Sequence, residues 1–228
     1  MPPRREEESI EPGSELGPLP AGHHGLSREQ VAESQRERLL AAIAHVVAAD
    51  GYKGATIADI VKAASVSSKA FYENFSSKEE CFLGAFEAVL AHLEELIAAA
   101  VAPVPDWPHQ VTAALRAGLD FFAAEHDLGR MFLVEPVTAT PVIAARFRAA
   151  VLAAIPHLQR GRAEGGEAAS LPESTEDSLL GGLVVLVSRS ILAGEEPLSG
   201  VLPDLVEFVL APYLGPERAK ELAEESRG

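Results

Sequence analysis

From Leu39 to Ile97 the apolar residues return every three or four positions, in short runs separated by capping residues and turn formers. That rhythm admits helices and little else. Leu39, Leu40, Ile43, Val46 and Val47 lie on one face of a first helix. Ser27 with Gln30 forms a capping box at its start, and Gly51 supplies a C-terminal stop. Thr56 N-caps a second helix that presents Ile57, Ile60, Val61 and Ala64. Ser65-Val66-Ser67 reads as a turn, and a third helix over 68–75 sets Phe71 and Phe75 four residues apart. Ser77 and Glu80 make another capping box, opening a long fourth helix that carries Phe82, Phe86, Val89, Leu90, Leu93 and Ile97. Pro103, Pro105 and Pro108 stop it.

Composition extends the helical expectation to the whole chain. Of 228 residues 38 are Ala and 27 Leu, against 5 Thr and 8 Ile; a β-rich fold would need more β-branched side chains. The expected fold is all-α, about nine or ten helices: an N-terminal three-helix helix-turn-helix head and a larger C-terminal helical bundle. Further helices are expected near 107–124, 128–134, 141–158, 174–192, 201–213 and 216–225. Residues 161–171 read as a Gly/Ala/Glu-rich loop. Residues 1–26, rich in Pro and Gly without apolar periodicity, read as a disordered tail. Residues 27–80 are then the head, and residues 81–228 a ligand-sensing and dimerisation domain.

Charge narrows the function. The net formal charge of −15 argues against coating nucleic acid by charge alone. Its distribution is uneven: residues 27–82 hold 7 basic and 8 acidic groups, whereas residues 83–228 hold 10 and 21. A nearly neutral head on an acidic body leaves room for a DNA-reading domain. Arg4 and Arg5 sit beside Glu6, Glu7 and Glu8, which weakens them as a DNA-reaching arm. The single Cys81 excludes an internal disulfide or a multi-cysteine zinc site, and His23-His24 lacks partners at ligand spacing. Neither metal nor cofactor is expected. No apolar run approaches the about 18 residues of a membrane span, so a cytoplasmic location is expected. A Gly-rich phosphate loop, a nucleophile elbow and a His-Glu metal motif are all missing, so the chain does not read as an enzyme.

Two short helices joined by a tight turn and braced by a longer one form a helix-turn-helix unit. The second helix of the pair can enter a major groove about 12 Å wide. Its projecting polar residues are Ser67, Ser68, Lys69, Tyr72 and Asn74, able to meet base edges or phosphates. Thr56 and Lys78 stand at helix N-termini, where a phosphate is favoured.

The stretch from Thr56 to Glu80 (TIADIVKAASVSSKAFYENFSSKEE) resembles the signature of the tetracycline-repressor (TetR) family of bacterial transcription regulators. The likeness runs over residues 27–90. It rests on the Thr-initiated helix, the Val-Ser turn, Tyr72, Phe75 and Ser77-Lys78-Glu79, all at the expected offsets. The resemblance implies a homodimer that binds a palindromic duplex operator, with a ligand pocket and dimer interface in the body. It implies that Thr56, Tyr72 and Lys78 contact phosphates and that Ser67, Ser68 and Lys69 face the groove. It further implies a repressor released by a small apolar ligand. Two features depart from the family pattern: Ser65 replaces a Gly common in the turn, and Ala70 and Glu73 stand where many members carry Thr and an aromatic or His.

In the body, Trp107, Phe121, Phe122, Met131, Phe132 and Phe147 concentrate the large apolar side chains, with Glu135, Arg146 and His126 as polar candidates beside them. They are expected to line a ligand pocket between helices. A stripe of Leu179, Leu183, Leu186 and Val187, with Val206 and Leu210 on the following helix, is expected at the dimer interface, and Gly181 with Gly182 would let helices approach closely. The competing reading is a helical interaction or scaffold protein whose head does not read DNA. Cys81 carries a second alternative, a reactive thiol near a helix start.

Overall fold

Each short helix of the N-terminal third starts where a side chain satisfies the free N–H groups of its first turn. The computed structural model describes residues 28–164, 166–194 and 197–227. The expected tail and the Ser27 cap therefore lie outside the described residues, and the described residues contain no strand. Helix α1 (Arg28–Gly54) bends at Gly51, whose φ of 73° is open to glycine and costly for other residues. Thr56 caps α2 (Ile57–Ala63) in a full capping box with Asp59, and Ser67 caps α3 (Ser68–Asn74) through the Ala70 amide. Ser77 caps α4 (Lys78–Val101) through the Glu80 amide.

The turn between α2 and α3 closes with two hydrogen bonds. The Val66 amide donates to the Val61 carbonyl and the Ser65 amide to the Lys62 carbonyl, each at 3.2 Å. This Schellman pattern requires a left-handed residue in the middle, and Ser65 takes it with φ 52°. Arg38 of α1 donates to the Ala64 and Ser65 carbonyls at 3.3 and 3.4 Å, holding the turn against the first helix. Beneath it Leu39, Ile43, Val47, Ile60, Phe71, Phe75 and Phe82 are all buried. Gly84 lets α4 pack closely here, since a Cβ would lie 3.2 Å from both Leu40 and Phe75.

The body follows as α5 (Trp107–Ala124), α6 (His126–Gly129), α7 (Pro141–Leu152), α8 (Ile155–Gln159), α9 (Thr175–Ala193), α10 (Leu202–Leu214) and α11 (Pro216–Glu225). A π-helical turn over Arg130–Val134 and a 3-10 turn over Glu135–Val137 join α6 to α7. The expected loop over 161–171 is instead wound into short 3-10 turns. Arg162 pins it, donating to the Leu171 and Pro172 carbonyls and to both carboxylate oxygens of buried Glu176 at 2.7–2.9 Å. Tyr213 adds its hydroxyl to Glu176 at 3.1 Å, so no oxygen of the buried carboxylate is left unpaired. Trp107 packs directly against Gly161, where a Cβ would come within 2.3 Å of the indole. One apolar stretch, Pro141–Glu164, does reach membrane-spanning length with a mean hydropathy of 1.3, contrary to the sequence expectation. The fold divides it among α7, α8 and a 3-10 turn, so it is not one continuous α-helix.

Cys81 sits at the first turn of α4, fully buried, its Sγ 3.9 Å from the Leu39 carbonyl. Burial pushes the thiol up to about 12, so it stays protonated and inert at neutral pH. Both the burial and the raised pKa argue against the reactive-thiol alternative. Two outcomes follow for the head. Replacing Ser65 with Gly should stabilise the fold by about 0.5–1 kcal/mol through relief of the left-handed strain, read as a higher denaturant midpoint with unchanged slope. A thiol reagent at neutral pH should leave Cys81 unmodified in the folded protein and label it on unfolding; fast labelling of the native chain would contradict its burial.

Candidate nucleic-acid interface and ligand cavity

Helix α3 is two-faced because its length allows only one buried stripe. Ala70 and Phe71 point inward, followed by Phe75 at the cap, while Ser67, Ser68, Lys69, Tyr72 and Glu73 remain exposed. Tyr72 is 60% exposed although its ring packs edge-on against Phe71 at 5.4 Å, which fixes where its hydroxyl points. The expected groove-facing set is therefore brought together on one surface, with two qualifications. Asn74 turns back, donating its side-chain amide to the Ala70 carbonyl at 2.8 Å. Thr56 is exposed at the edge of the same unit, but its hydroxyl donates to Asp59, whose carboxyl that bond holds below the usual range.

Lys78 is placed inside the junction and away from the open surface. Its ammonium donates to the Tyr52 and Ala55 carbonyls at 2.6 and 2.7 Å and lies 4.3 Å from the centre of the Tyr52 ring. Burial lowers its pKa. The lysine thus ties the start of α4 to the end of α1.

The body holds an elongated cavity of about 630 Å³ between α4, α5, α8, α9 and α10. That volume is ordinary for a small-molecule site. Along α4 the lining runs from Leu90 to Val101, a stretch of about 16 Å at helical rise. The walls are almost wholly apolar; Glu94, Gln110, His157 and Arg160 are the polar or charged residues among them. Of the expected pocket residues, Trp107, Phe122 and Phe132 line the cavity. Phe121, Met131 and Phe147 do not: Phe147 packs behind Phe132 and Phe86, Phe121 stacks edge-on with His92 and packs against Phe122, and Met131 is fully buried. The rest of the lining is aliphatic, including Leu93, Ile97, Leu115, Leu119, Val151 and Val184. Sequence reasoning missed these because an aliphatic residue facing a cavity has the same spacing as one facing a neighbour.

Glu135 is likewise absent from the lining. It is buried at the contact between body and head, where its Oε2 accepts from the Tyr52 amide at 2.8 Å and its Oε1 lies 3.7 Å from Arg130 Nε. Arg146 is drawn to Glu87 of α4, with one bond at 2.6 Å, and His126 opens α6 outside the lining.

The expected dimer residues divide. Leu179, Val206 and Leu210 are at most 5% exposed within the single chain, so they belong to its own core and cannot meet a second copy. Leu183 and Val187 face the cavity, and Leu186 is half-buried. Helix α9 turns Gly181, Val185, Arg189 and Leu192 outward instead, and Phe208 of α10 lies against Gly182. Gly182 is required there, since a Cβ would lie 2.5 Å from the Phe208 ring. The helix has enough apolar residues to cover more than one face, and composition could not say which face was outermost.

This geometry has counterparts. Residues 39–85 match the family model described as bacterial regulatory proteins, tetR family. The HTH-type transcriptional activator FasR of Mycolicibacterium smegmatis is 27% identical over 131 residues, which is 58% of this chain and 60% of that protein's length. The structure of the fatty acid degradation regulator FadR from Bacillus halodurans superposes with a TM-score of 0.68 at 17% identity, covering 78% of this chain and 94% of that one. FadR from Bacillus subtilis in complex with stearoyl-CoA gives 0.63 at 14% identity, covering 78% and 98%. The structural likenesses speak for the fold, and the match over the capped, two-faced head speaks for kinship. Residues 39–85 thus match the tetR family model, and the solved structures share the fold of the chain.

Proposed function

We propose that the chain is a ligand-responsive DNA-binding transcription regulator that acts as a homodimer and takes a long-chain acyl group, such as that of an acyl-CoA, into its cavity. The observation that carries this reading is the coexistence of a two-faced α3 and an elongated apolar cavity in one chain, with a buried path between them. In the dimer the two copies of α3 enter successive major grooves about 34–36 Å apart, which fits a palindromic operator. The outward face of Val185, Leu192 and Phe208 is the surface for the second copy. The acyl chain lies along α4 and α5, and its polar end emerges near exposed His157 and Arg160. Relatives support this choice of ligand, since the FadR of Bacillus subtilis was solved with stearoyl-CoA.

The path between sites starts at the cavity wall. Phe132 and Leu133 line the cavity and belong to the π-helical turn, a rare arrangement found frequently at functional sites. The Leu133 carbonyl accepts from Ser188 of α9 at 3.2 Å, and two residues on Glu135 grips the Tyr52 amide. A ligand that displaces Phe132 therefore moves Glu135, and with it the end of α1. His45 of α1 and Asp127 of α6, 2.7 Å apart, make a second tie across the same contact. A ligand that favours the displaced state by about 1–3 kcal/mol weakens DNA binding roughly 5–150-fold. A regulator that leaves its site ceases to repress or to activate, so the effect on transcription follows from where the operator lies.

Stearoyl-CoA should raise the melting temperature of the purified protein, and Gly118→Leu, which adds bulk to a cavity-lining position with no atom closer than 4.0 Å, should abolish that rise while leaving DNA binding intact. No rise with either stearoyl-CoA or free stearate would end the acyl-ligand reading. Glu135→Ala should keep both affinities within a few-fold but uncouple them: saturating stearoyl-CoA would no longer release a bound duplex. A variant that is still released as readily as wild type would remove Glu135 from the path.

A further inference from the structure

The face that α3 presents carries three long side chains, Lys69, Tyr72 and Glu73. Two of the short ones are already engaged: Ser67 Oγ accepts from the Ala70 amide, and Asn74 donates to the Ala70 carbonyl. Lys69 and Glu73 stand one helical turn apart, with side chains 85% and 58% exposed and the ammonium 3.5 Å from Glu73 Oε1. Among the described residues the pair stands on the exposed side of α3. A carboxylate on a surface that approaches DNA is repelled by every phosphate it passes, so it is tolerated there only over a base edge that donates.

In the major groove two groups donate, the amino groups of cytosine and adenine. Adenine sets its N7 acceptor beside that amino group, which repels a carboxylate; cytosine does not. Lysine makes the opposite choice, donating to guanine O6 and N7. An ammonium and a carboxylate 3.5 Å apart thus match a guanine and a cytosine lying side by side on the groove floor. Resting on the DNA-binding reading above, we propose that Lys69 and Glu73 read a G·C pair or step together, and that Glu73 is the specificity-determining residue that rejects A·T at that position. The neighbouring ammonium also partly offsets the Glu73 charge, in a head with too little positive charge to bind by phosphate contacts alone. The other charged groups of the short helices, Asp59 and Lys62, belong to α2, so nothing else on α3 duplicates the pair.

The test is enrichment of duplexes from a randomised library by the full-length protein, comparing wild type, Glu73→Ala, Glu73→Gln and Lys69→Ala, each checked for helical content. Wild type should enrich a site with G·C fixed at one position in each half. Glu73→Ala should lose the preference at that position by roughly ten-fold or more while gaining non-specific affinity, because one carboxylate no longer faces phosphates. Glu73→Gln should shift the preference toward adenine, whose N6 and N7 pair with an amide. If wild type enriches a defined site and Glu73→Ala selects the same bases with the same strength, the proposal is overturned and DNA binding stands. If folded wild type enriches no sequence, the DNA-binding reading fails and takes this proposal with it.

Discussion

The backbone of one residue, Tyr52, carries the connection between the two halves of the molecule. Its carbonyl accepts from the Lys78 ammonium at the start of α4, and its amide donates to the buried Glu135 carboxylate of the body. Charge-assisted bonds of this kind are about twice as strong as neutral ones, and the bond to Glu135 is buried while that to Lys78 is half-buried. The grip is possible because Gly51 breaks α1 just before Tyr52, freeing that amide from the helical ladder. The Glu135 carboxylate lies in ordinary contact distance of Gly51, and it is the positive φ there that calls for glycine. With the His45–Asp127 pair and the continuous α4, this junction sets how the head sits on the body.

The body is organised around the complementary problem of keeping a cavity open. A void of this size would collapse in a fold held only by side-chain packing. Its rim is held by directed bonds instead. Arg162, Glu176 and Tyr213 link the 160–172 segment to α9 and α10, and Trp107 donates to the His157 carbonyl at 2.8 Å. Outside the cavity lining, His109 stands beside Trp107 at the start of α5, bound to Asp106 and 3.4 Å from Glu225 of α11, and the bond to Asp106 raises its pKa. The π-helical turn is the part of the wall that leads on to Glu135.

The short helices of the head were legible because each feature is local. Thr56, Ser67 and Ser77 are caps that act on amides three residues away, and Phe71 and Phe75 show the buried stripe directly. Ser65 was recognisable as a strained turn residue, and its φ of 52° is the strain. The body was legible only as helices. Trp107, Phe122 and Phe132 were expected at the cavity because large aromatic residues are conspicuous, yet the same reasoning drew in Phe121, Met131 and Phe147, which pack behind the wall. Leu179, Val206 and Leu210 were misplaced at a subunit interface because a helix with two apolar faces gives one pattern for both.

Periodicity, caps and the turn chemistry of a two-dozen-residue stretch determined by themselves that the chain is helical and that α3 has a face to spare. These are interactions within one or two turns, and the order of residues specifies them completely. Which apolar residues enclose empty volume, which face of α9 is outermost, and that Glu135 reaches Tyr52 across 83 positions were decided only by the tertiary structure. Packing between distant segments depends on where each helix lies in space, and helical spacing carries no record of what a side chain will meet there.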